Sequence, residues 1–451
     1  MTECIGQQVL FSSLGRQKVE AEWNGGSLTS DAGAVLLRET DRRVGLIDAL
    51  NRCIPDPRNP QFIVHAQRTL LAQRIFGIAL GYEDVNDQQT LRDDPLFQVV
   101  TERGVKKGLP LGSPPTLCRL ENRVGRREAF LMNAVFVEQF IRSHATAPEE
   151  LILDFDATDD PVHGGQEGRF FHGYYDRYCF LPLYVFCGTQ LLVAYLRRAN
   201  IDGAKHSWAI LKLLVTRLRR AWPNVRITVR GDSGFCRWKM MRWCERHNVC
   251  YIFGVAKNDV LLRQADGWIR QAKEAFDATH QKQRLFAEIH YAAETWDKPR
   301  HVIVKAEHLS EGPNARFVVT NLPGEPQELY DKVYCARGEM ENRIKEQQLG
   351  LFADRTSCHR FLANQFRMLL SAAAYVLVET LRRLGLRGTE LADAQVTTIR
   401  LRLLKIGARV VTSVRRIVLH LAGGYPLKAL FAEIALRLRV PVPVLTDPAP
   451  E

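Results

Sequence analysis

Residues 151–158 read LILDFDAT, a short apolar run that carries two carboxylates, Asp154 and Asp156. The length and the apolar content suit a buried β-strand. On a strand, residues i and i+2 point the same way, so both acids lie on one face. Upstream, from about residue 27 to 145, apolar residues recur at helical spacing, as in LTSDAGAVLLRETDRRVGLIDALNRC and PQFIVHAQRTLLAQRIFGIALGYED. The pattern therefore changes from helix to strand at residue 151.

Downstream, RYCFLPLYVF and QLLVAYLRR read as two further strands about a turn at Cys187–Gly188–Thr189. A helix follows in HSWAILKLLVTRLRRAWP, ended by Pro223. VRITVRGD then alternates Val225, Ile227 and Val229 with polar residues, as a strand requires. After it come a helix, RWKMMRWCERHN, and a strand, CYIFGVAK. Three strands, helix, strand, helix, strand is the order of an RNase H-like core, an α/β arrangement with a mixed sheet flanked by helices.

Five regions follow from this reading. Residues 1–145 are a helical N-terminal region, read either as a DNA-binding and positioning domain or as a helical bundle with a basic surface. Residues 150–257 are the first part of the core. Residues 258–324, with RLFAEIHYA, RHVIVKAE and ARFVVTNLP, form a β-rich insertion. Residues 325–380 bring the last part of the core with its helix. Residues 381–451 are a basic helical region holding Arg400, Arg402, Lys405, Arg409, Arg415 and Arg416, read as a DNA clamp or a solvated face. The final PVPVLTDPAPE is expected to be loose.

Over the whole chain of 451 residues, Lys and Arg exceed Asp and Glu to give a net charge of +12. Excess positive charge attracts polyanions, which places nucleic acid first among partners and an anionic membrane behind it. The most apolar stretch, CFLPLYVFCGTQLLVAYL, is broken by Pro182, Gly188 and Gln190 and does not read as a membrane span. The start lacks the features of a signal peptide, and ten cysteines fall without a disulfide-like rhythm, which together suit a reducing cytoplasm. Cys244, His247 and Cys250 match no common zinc spacing and read as thiols within a fold.

Three acids stand out by position. Asp156 lies on the first core strand and Asp232 ends the fourth, in RGDSGF. The third belongs to YCARGEMENRIKEQQ, residues 334–348. Projected on a helix, Tyr334, Arg337, Glu341, Lys345 and Gln348 share a stripe roughly 80° wide, while Glu339 and Glu346 face away. An exposed helix with Arg337–Glu341 and Glu341–Lys345 pairs would show similar spacing, but it does not call for Tyr334. Adjacent first and fourth strands crossed by this helix would gather three carboxylates, the hard oxygen donors that two Mg2+ ions need for phosphodiester chemistry.

These residues carry a resemblance. Y-x2-R-x3-E at 334–341, DFDAT and RGDSGF resemble the DDE transposases of bacterial insertion sequences, in particular the insertion sequence 1380 family within the insertion sequence 4 superfamily. GYEDVNDQQTLRDDP and LFADRTSCHRFLANQFRMLLSAAAYVL are similar to the same family, so the resemblance covers nearly the whole chain. It implies a β-strand insertion before the glutamate and a metal triad of Asp156, Asp232 and Glu341. It implies two Mg2+ ions, with Mn2+ able to substitute, and DNA contacts by Tyr334 and Arg337. It also implies nicking at terminal inverted repeats, attack of the freed 3′-OH on double-stranded target DNA, and a homodimeric synaptic complex in the bacterial cytoplasm. Asp156 rather than Asp154 fits the D-x-T pattern, and Asp154 stays open as a neighbouring partner. Where the superfamily carries a lysine seven residues after the glutamate, this chain has Gln348, and Lys345 is the cation expected to replace it.

Other motifs are weaker. GDSGF resembles a protease nucleophile segment, yet Ser233 lacks matching upstream His and Asp segments. HGGQEGRFFHGYYDRY lacks the ending of a phosphate loop, and its His163 and His172 read as turn residues or as groups near DNA. Trp296, in ETWDKPR, could stack on a flipped base or pack locally. A nuclease that cuts without joining, and a catalytically silent DNA-binding protein, are the competing functions.

Overall fold

The computed structural model describes residues 9–103 and 109–439, and they divide into two compact units. The unit that carries the three acids comprises residues 125–349 and 353–372. Its elements are α1 (Arg126–Arg142), β1 (Glu150–Ala157), β2 (Asp160–Pro161), β3 (Phe170–His172), β4 (Arg177–Phe180), β5 (Leu183–Cys187), β6 (Gln190–Tyr195), α2 (Ser207–Ala221), β7 (Arg226–Gly231), α3 (Trp238–Arg246), β8 (Cys250–Val255), α4 (Asp259–Thr279), β9 (Gln283–Tyr291), β10 (Arg300–Leu309), β11 (Arg316–Thr320) and α5 (Gly338–Lys345).

One nine-stranded mixed sheet organises this unit, in the order β9-β10-β11-β8-β7-β1-β5-β6 with the short Gly312–Pro313 strand at its side. β1, β7 and β8 run parallel, and β1, β5 and β6 form an antiparallel meander. Alternation sorts the side chains. Leu151, Leu153 and Phe155 of β1, Ile227 and Val229 of β7 and Phe253 of β8 join one core with Leu211, Leu214 and Leu218 of α2 and Met240 and Met241 of α3. The other face buries Ile252, Ile303 and Val318 beneath Leu329 and Tyr330.

Several boundaries differ from the sequence reading. The helix α1, grouped above with the N-terminal region, belongs to the sheet unit. Its Val137 and Phe140 sit in the sheet's core, and Asn133 Oδ1 accepts the Ala194 N–H at 2.8 Å. RYCFLPLYVF is not one strand. Pro182, which has no N–H to offer a ladder, separates β4 from β5, and β4 pairs instead with β2 and β3 in a small sheet of its own. Residues 258–324, expected to be β-rich, open with the long helix α4, capped by Asn258 Oδ1 accepting the Leu261 N–H. Leu261, Ala265 and Ala272 recur there at helical spacing and are buried. The strands after α4 extend the main sheet through β11, which pairs with β8.

The second unit comprises residues 1–124, 350–352 and 373–451. Among its described residues, helices Ala34–Val44, Leu46–Cys53, Gln67–Ala79 and Pro114–Glu121 come from the N-terminal side and Lys428–Leu438 from the C-terminal side. The Arg74–Glu121 pair, 3.0 Å apart, is buried inside it. The C-terminal region is not purely helical. Strands Ala408–Thr412 and Ile417–Leu421 form a hairpin whose first strand also pairs with Leu28–Thr29. Of the basic cluster, Arg400 is buried and donates to Ala79 O, and Lys405 pairs with Asp31 at 2.6 Å. Arg409, Arg415 and Arg416 are exposed. One described helix, Phe361–Leu386, is long and apolar enough to cross a membrane, and 83% of its apolar window is buried within the protein.

Candidate active site

The site grows from the register of three parallel strands. Arg230 on β7 stands opposite Asp154 on β1 and Ile252 on β8. One pleat further on, the same face carries Asp156 from β1, Asp232 just past β7, and Gly254 from β8. Asp232 caps a one-turn 3-10 helix, Ser233–Phe235, by accepting the Gly234 N–H at 2.8 Å. Asp156 accepts the N–H of Ala157 at 3.0 Å. Both carboxyl groups are thereby fixed at the ends of neighbouring strands.

The segment that crosses this face is not a uniform α-helix. It runs as a π-turn, Leu329–Tyr334, a 3-10 turn, Cys335–Arg337, the helix α5, and a second π-turn, Glu346–Gly350. Gly338 does not break it, since its φ of −55° and ψ of −26° are helical. The Tyr334 hydroxyl rests over Gly254, where an added Cβ would meet it at 2.6 Å. Only a residue without a side chain lets the phenol lie so close to the strand. Arg337 bridges the acids, with its guanidinium 3.6 Å from Asp156 Oδ2 and 2.6 Å from Glu341 Oε1. Asp156 is 15% exposed and Glu341 43% exposed, so the cluster opens to solvent on the helix side.

Electrostatics make this a site of concentrated negative charge. Burial pushes the Asp156 carboxyl up to about 7; Arg337 opposes that rise, and the charges of Asp232 and Glu341 add to it. Burial weakens the Arg337 charge, but Asp156 and Glu341 outweigh it and hold the guanidinium above its ordinary range. Burial also raises the Tyr334 phenol. Three carboxylates that sense one another are the donor set a hard divalent cation takes. Among the described residues, no three His, Cys, Asp or Glu side chains stand close enough to hold one ion, and Glu341 pairs with the Arg337 guanidinium. The donors fit Mg2+ in kind, and Arg337 supplies the positive charge between two of them.

A family model described as transposase DDE domain group 1 matches residues 11–441 of the chain. The chain belongs to this DDE transposase family. No curated protein matches it. Seven chains among solved structures match. One is a cryo-EM structure of the piggyBac transposase synaptic complex with hairpin DNA. It is 10% identical over 93% of this chain and 87% of that chain, with a TM-score of 0.42.

The remaining expected residues of this transposase scatter. Lys345 lies exposed at the end of α5, whereas Gln348 turns inward and donates to Asp160 Oδ1 at 2.9 Å and to Asp159 O at 3.2 Å. Trp296 is not brought to the acids. It packs with the core of the opposite sheet face, its ring edge-on to Tyr291 at 5.5 Å and under the Arg300 guanidinium at 5.7 Å. Ser233 serves the turn that Asp232 caps. His163 is exposed, and His172 rests on Tyr175 with ring centres 5.0 Å apart. Cys244 lies in the core and His247 stacks on Trp243 at 4.3 Å. The sequence reading missed Arg230, which holds Asp154 and also donates to the Val333 carbonyl. VRITVRGD puts Arg230 among the polar positions of its strand, and the pairing with Asp154 that buries it comes only from the fold.

Proposed function

We propose that this chain is the transposase of a bacterial insertion sequence, of the insertion sequence 1380 family within the insertion sequence 4 superfamily. In this reading it binds terminal inverted repeats, cleaves the DNA ends and joins them to target DNA, as a homodimer in the cytoplasm. The observation that carries the proposal is the placing of Asp156 and Asp232 side by side on one sheet face, with Glu341 joined to Asp156 through Arg337. The strand order, an antiparallel meander followed by parallel β7 and β8, supports an RNase H-like core in which this is the catalytic edge.

Asp156, Asp232 and Glu341 would hold two Mg2+ ions, with Mn2+ as a substitute. Bound there, the metal supplies Lewis acidity to the oxygens entering and leaving phosphorus. The chain's own groups do the rest. Asp232 is held by the turn it caps and Asp156 by its strand and Arg337; Tyr334 and Arg337 would face a phosphate at the same edge, and Lys345 would offer an exposed charge to the DNA backbone.

The test incubates purified protein with labelled transposon ends, target DNA and Mg2+, beside Asp232→Asn. Strand-transfer product is the expected result, absent from the variant. Nicks without joining would assign a nuclease, and binding without either a silent DNA-binding protein. Cutting by Asp232→Asn would overturn the triad.

A further inference from the structure

The small sheet of β2, β4 and β3 springs from the end of the strand that carries Asp156. Its two faces differ in kind. Phe170 and Cys179 are register partners that pack inward with Leu181 and Ala199. The next pair, Phe171 and Tyr178, points the other way and is 51% exposed at each residue. Their rings meet edge-on at 5.7 Å, and the Arg169 guanidinium lies 4.9 Å from the Tyr178 ring centre. At the hairpin tip Tyr174 is 85% exposed. The solvent face of a hairpin ordinarily carries polar side chains, and here it carries three aromatic rings and a guanidinium.

Two contacts tie this hairpin to the acidic site. Tyr175 donates from its hydroxyl to Ala157 O at 3.4 Å, next to Asp156, and Arg177 lies 3.8 Å from Asp159. These contacts, made from the turn and from the face opposite Phe171 and Tyr178, anchor the hairpin beside Asp156 and leave its aromatic face outward. We propose that Phe171 and Tyr178, with Arg169 beside them and Tyr174 at the tip, form a stacking surface for an unpaired nucleobase of the DNA strand that is cut. The inference rests on the DNA-cleaving reading given above. A base offers a flat ring to Phe171 and Tyr178 while its phosphate meets Arg169, and since every base has such a ring, the surface is indifferent to sequence. An aliphatic protein partner finds no such match in a patch of exposed rings with the Arg169 guanidinium over one of them.

The experiment uses the full chain and two probes of arbitrary sequence at low salt, a fully paired duplex and a forked duplex with 2-aminopurine in its unpaired arm. Wild-type protein is expected to prefer the fork and to quench the 2-aminopurine. Phe171→Ala and Tyr178→Ala should each lose about tenfold in affinity for the fork and stay within about twofold on the paired duplex. Tyr178→Phe, which keeps the ring, should behave as wild type, and Phe171→Leu, which keeps the bulk, should lose the quench while retaining its thermal melting. Equal losses on both probes, or quenching that survives Phe171→Ala and Tyr178→Ala, would overturn the proposal. Duplex binding and end cleavage with no preference for the fork would overturn it alone. A protein that binds neither probe would overturn the DNA-cleaving reading with it.

Discussion

Arg230 and Asp154 face each other across neighbouring parallel strands, with the guanidinium donating to both carboxylate oxygens at 2.5 and 2.8 Å. The same guanidinium donates to the carbonyl of Val333, one residue before Tyr334. This pair is thus a tether between the sheet that holds Asp156 and Asp232 and the segment that holds Tyr334, Arg337 and Glu341. Removing one partner of a buried pair leaves the other charged and alone. Asp154→Ala is expected to cost about 3–5 kcal/mol in urea unfolding, and Asp154→Leu with Arg230→Met together to cost less than either alone. A full additive loss in the double variant would show that the two residues act separately.

If Arg230 positions the glutamate segment, a slip there should be felt in the chemistry. Arg230→Lys keeps the charge but cannot span Asp154 and Val333 together, and end cleavage is expected to fall on the order of a hundredfold, as for a misplacement of about 1 Å. DNA affinity in a filter-binding or anisotropy assay should change far less.

Gly254 tests the seating of Tyr334. A Cβ there would press on the Tyr334 hydroxyl at 2.6 Å and on the Ser233 nitrogen at 3.0 Å. Gly254→Ala is expected to cost about 1–3 kcal/mol of stability, the range for overpacking. Tyr334→Phe in the same chain removes the hydroxyl and should recover part of that loss. A melting temperature unmoved by the second substitution would locate the clash at Ser233 instead.

Stability without metal should depend on pH through Asp156. Its folded carboxyl sits at about 7, above the ordinary 3.8. The native state therefore holds a proton that the unfolded chain has already released between those values, and stability falls as pH rises through that window. In EDTA, Asp156→Asn is expected to be more stable than wild type at pH 8, by up to about 4 kcal/mol, and equal to it near pH 4. A difference that does not change with pH would assign the effect to packing.

Lys345 and Gln348 make opposite predictions. Lys345 is exposed, whereas Gln348 is held by buried Asp160, whose carboxyl burial pushes well above its usual range. Lys345→Ala should weaken DNA binding and flatten its dependence on salt by about one unit of slope. Gln348→Ala should leave DNA binding alone and cost about 1–3 kcal/mol of stability, by stranding Asp160 Oδ1. The reverse pattern would return the DNA contact to position 348.

What could be read from the chain without coordinates follows from where local pattern decides. Strand alternation in LILDFDAT and VRITVRGD places Asp156 and Asp232, because period two is a local property. The helix α4 also carries a legible pattern, in Leu261, Ala265 and Ala272, beside the strand-like runs that follow it. Pro182 alone could have divided β4 from β5. The Arg230–Asp154 pair and the Tyr334–Gly254 contact were not legible, since both depend on which strands become neighbours, and only the folded sheet decides that.

The straight-helix projection of residues 334–348 sets Glu341 and Gln348 on one stripe, whereas the folded segment, interrupted by two wide turns, pairs Glu341 with Arg337 and Gln348 with Asp160. Leu329–Tyr334 and Glu346–Gly350 each hold one residue more per turn than an α-helix would. Each acts as a slip joint in the screw of the chain, so the azimuth of Glu341 is set within α5 and not inherited from either flank. Deleting one residue from either joint would leave Glu341 in the sequence unchanged while dialling the segment beyond that joint by about 100°. For an engineer, these turns are the places where the reach of this helix can be retuned without touching an acid.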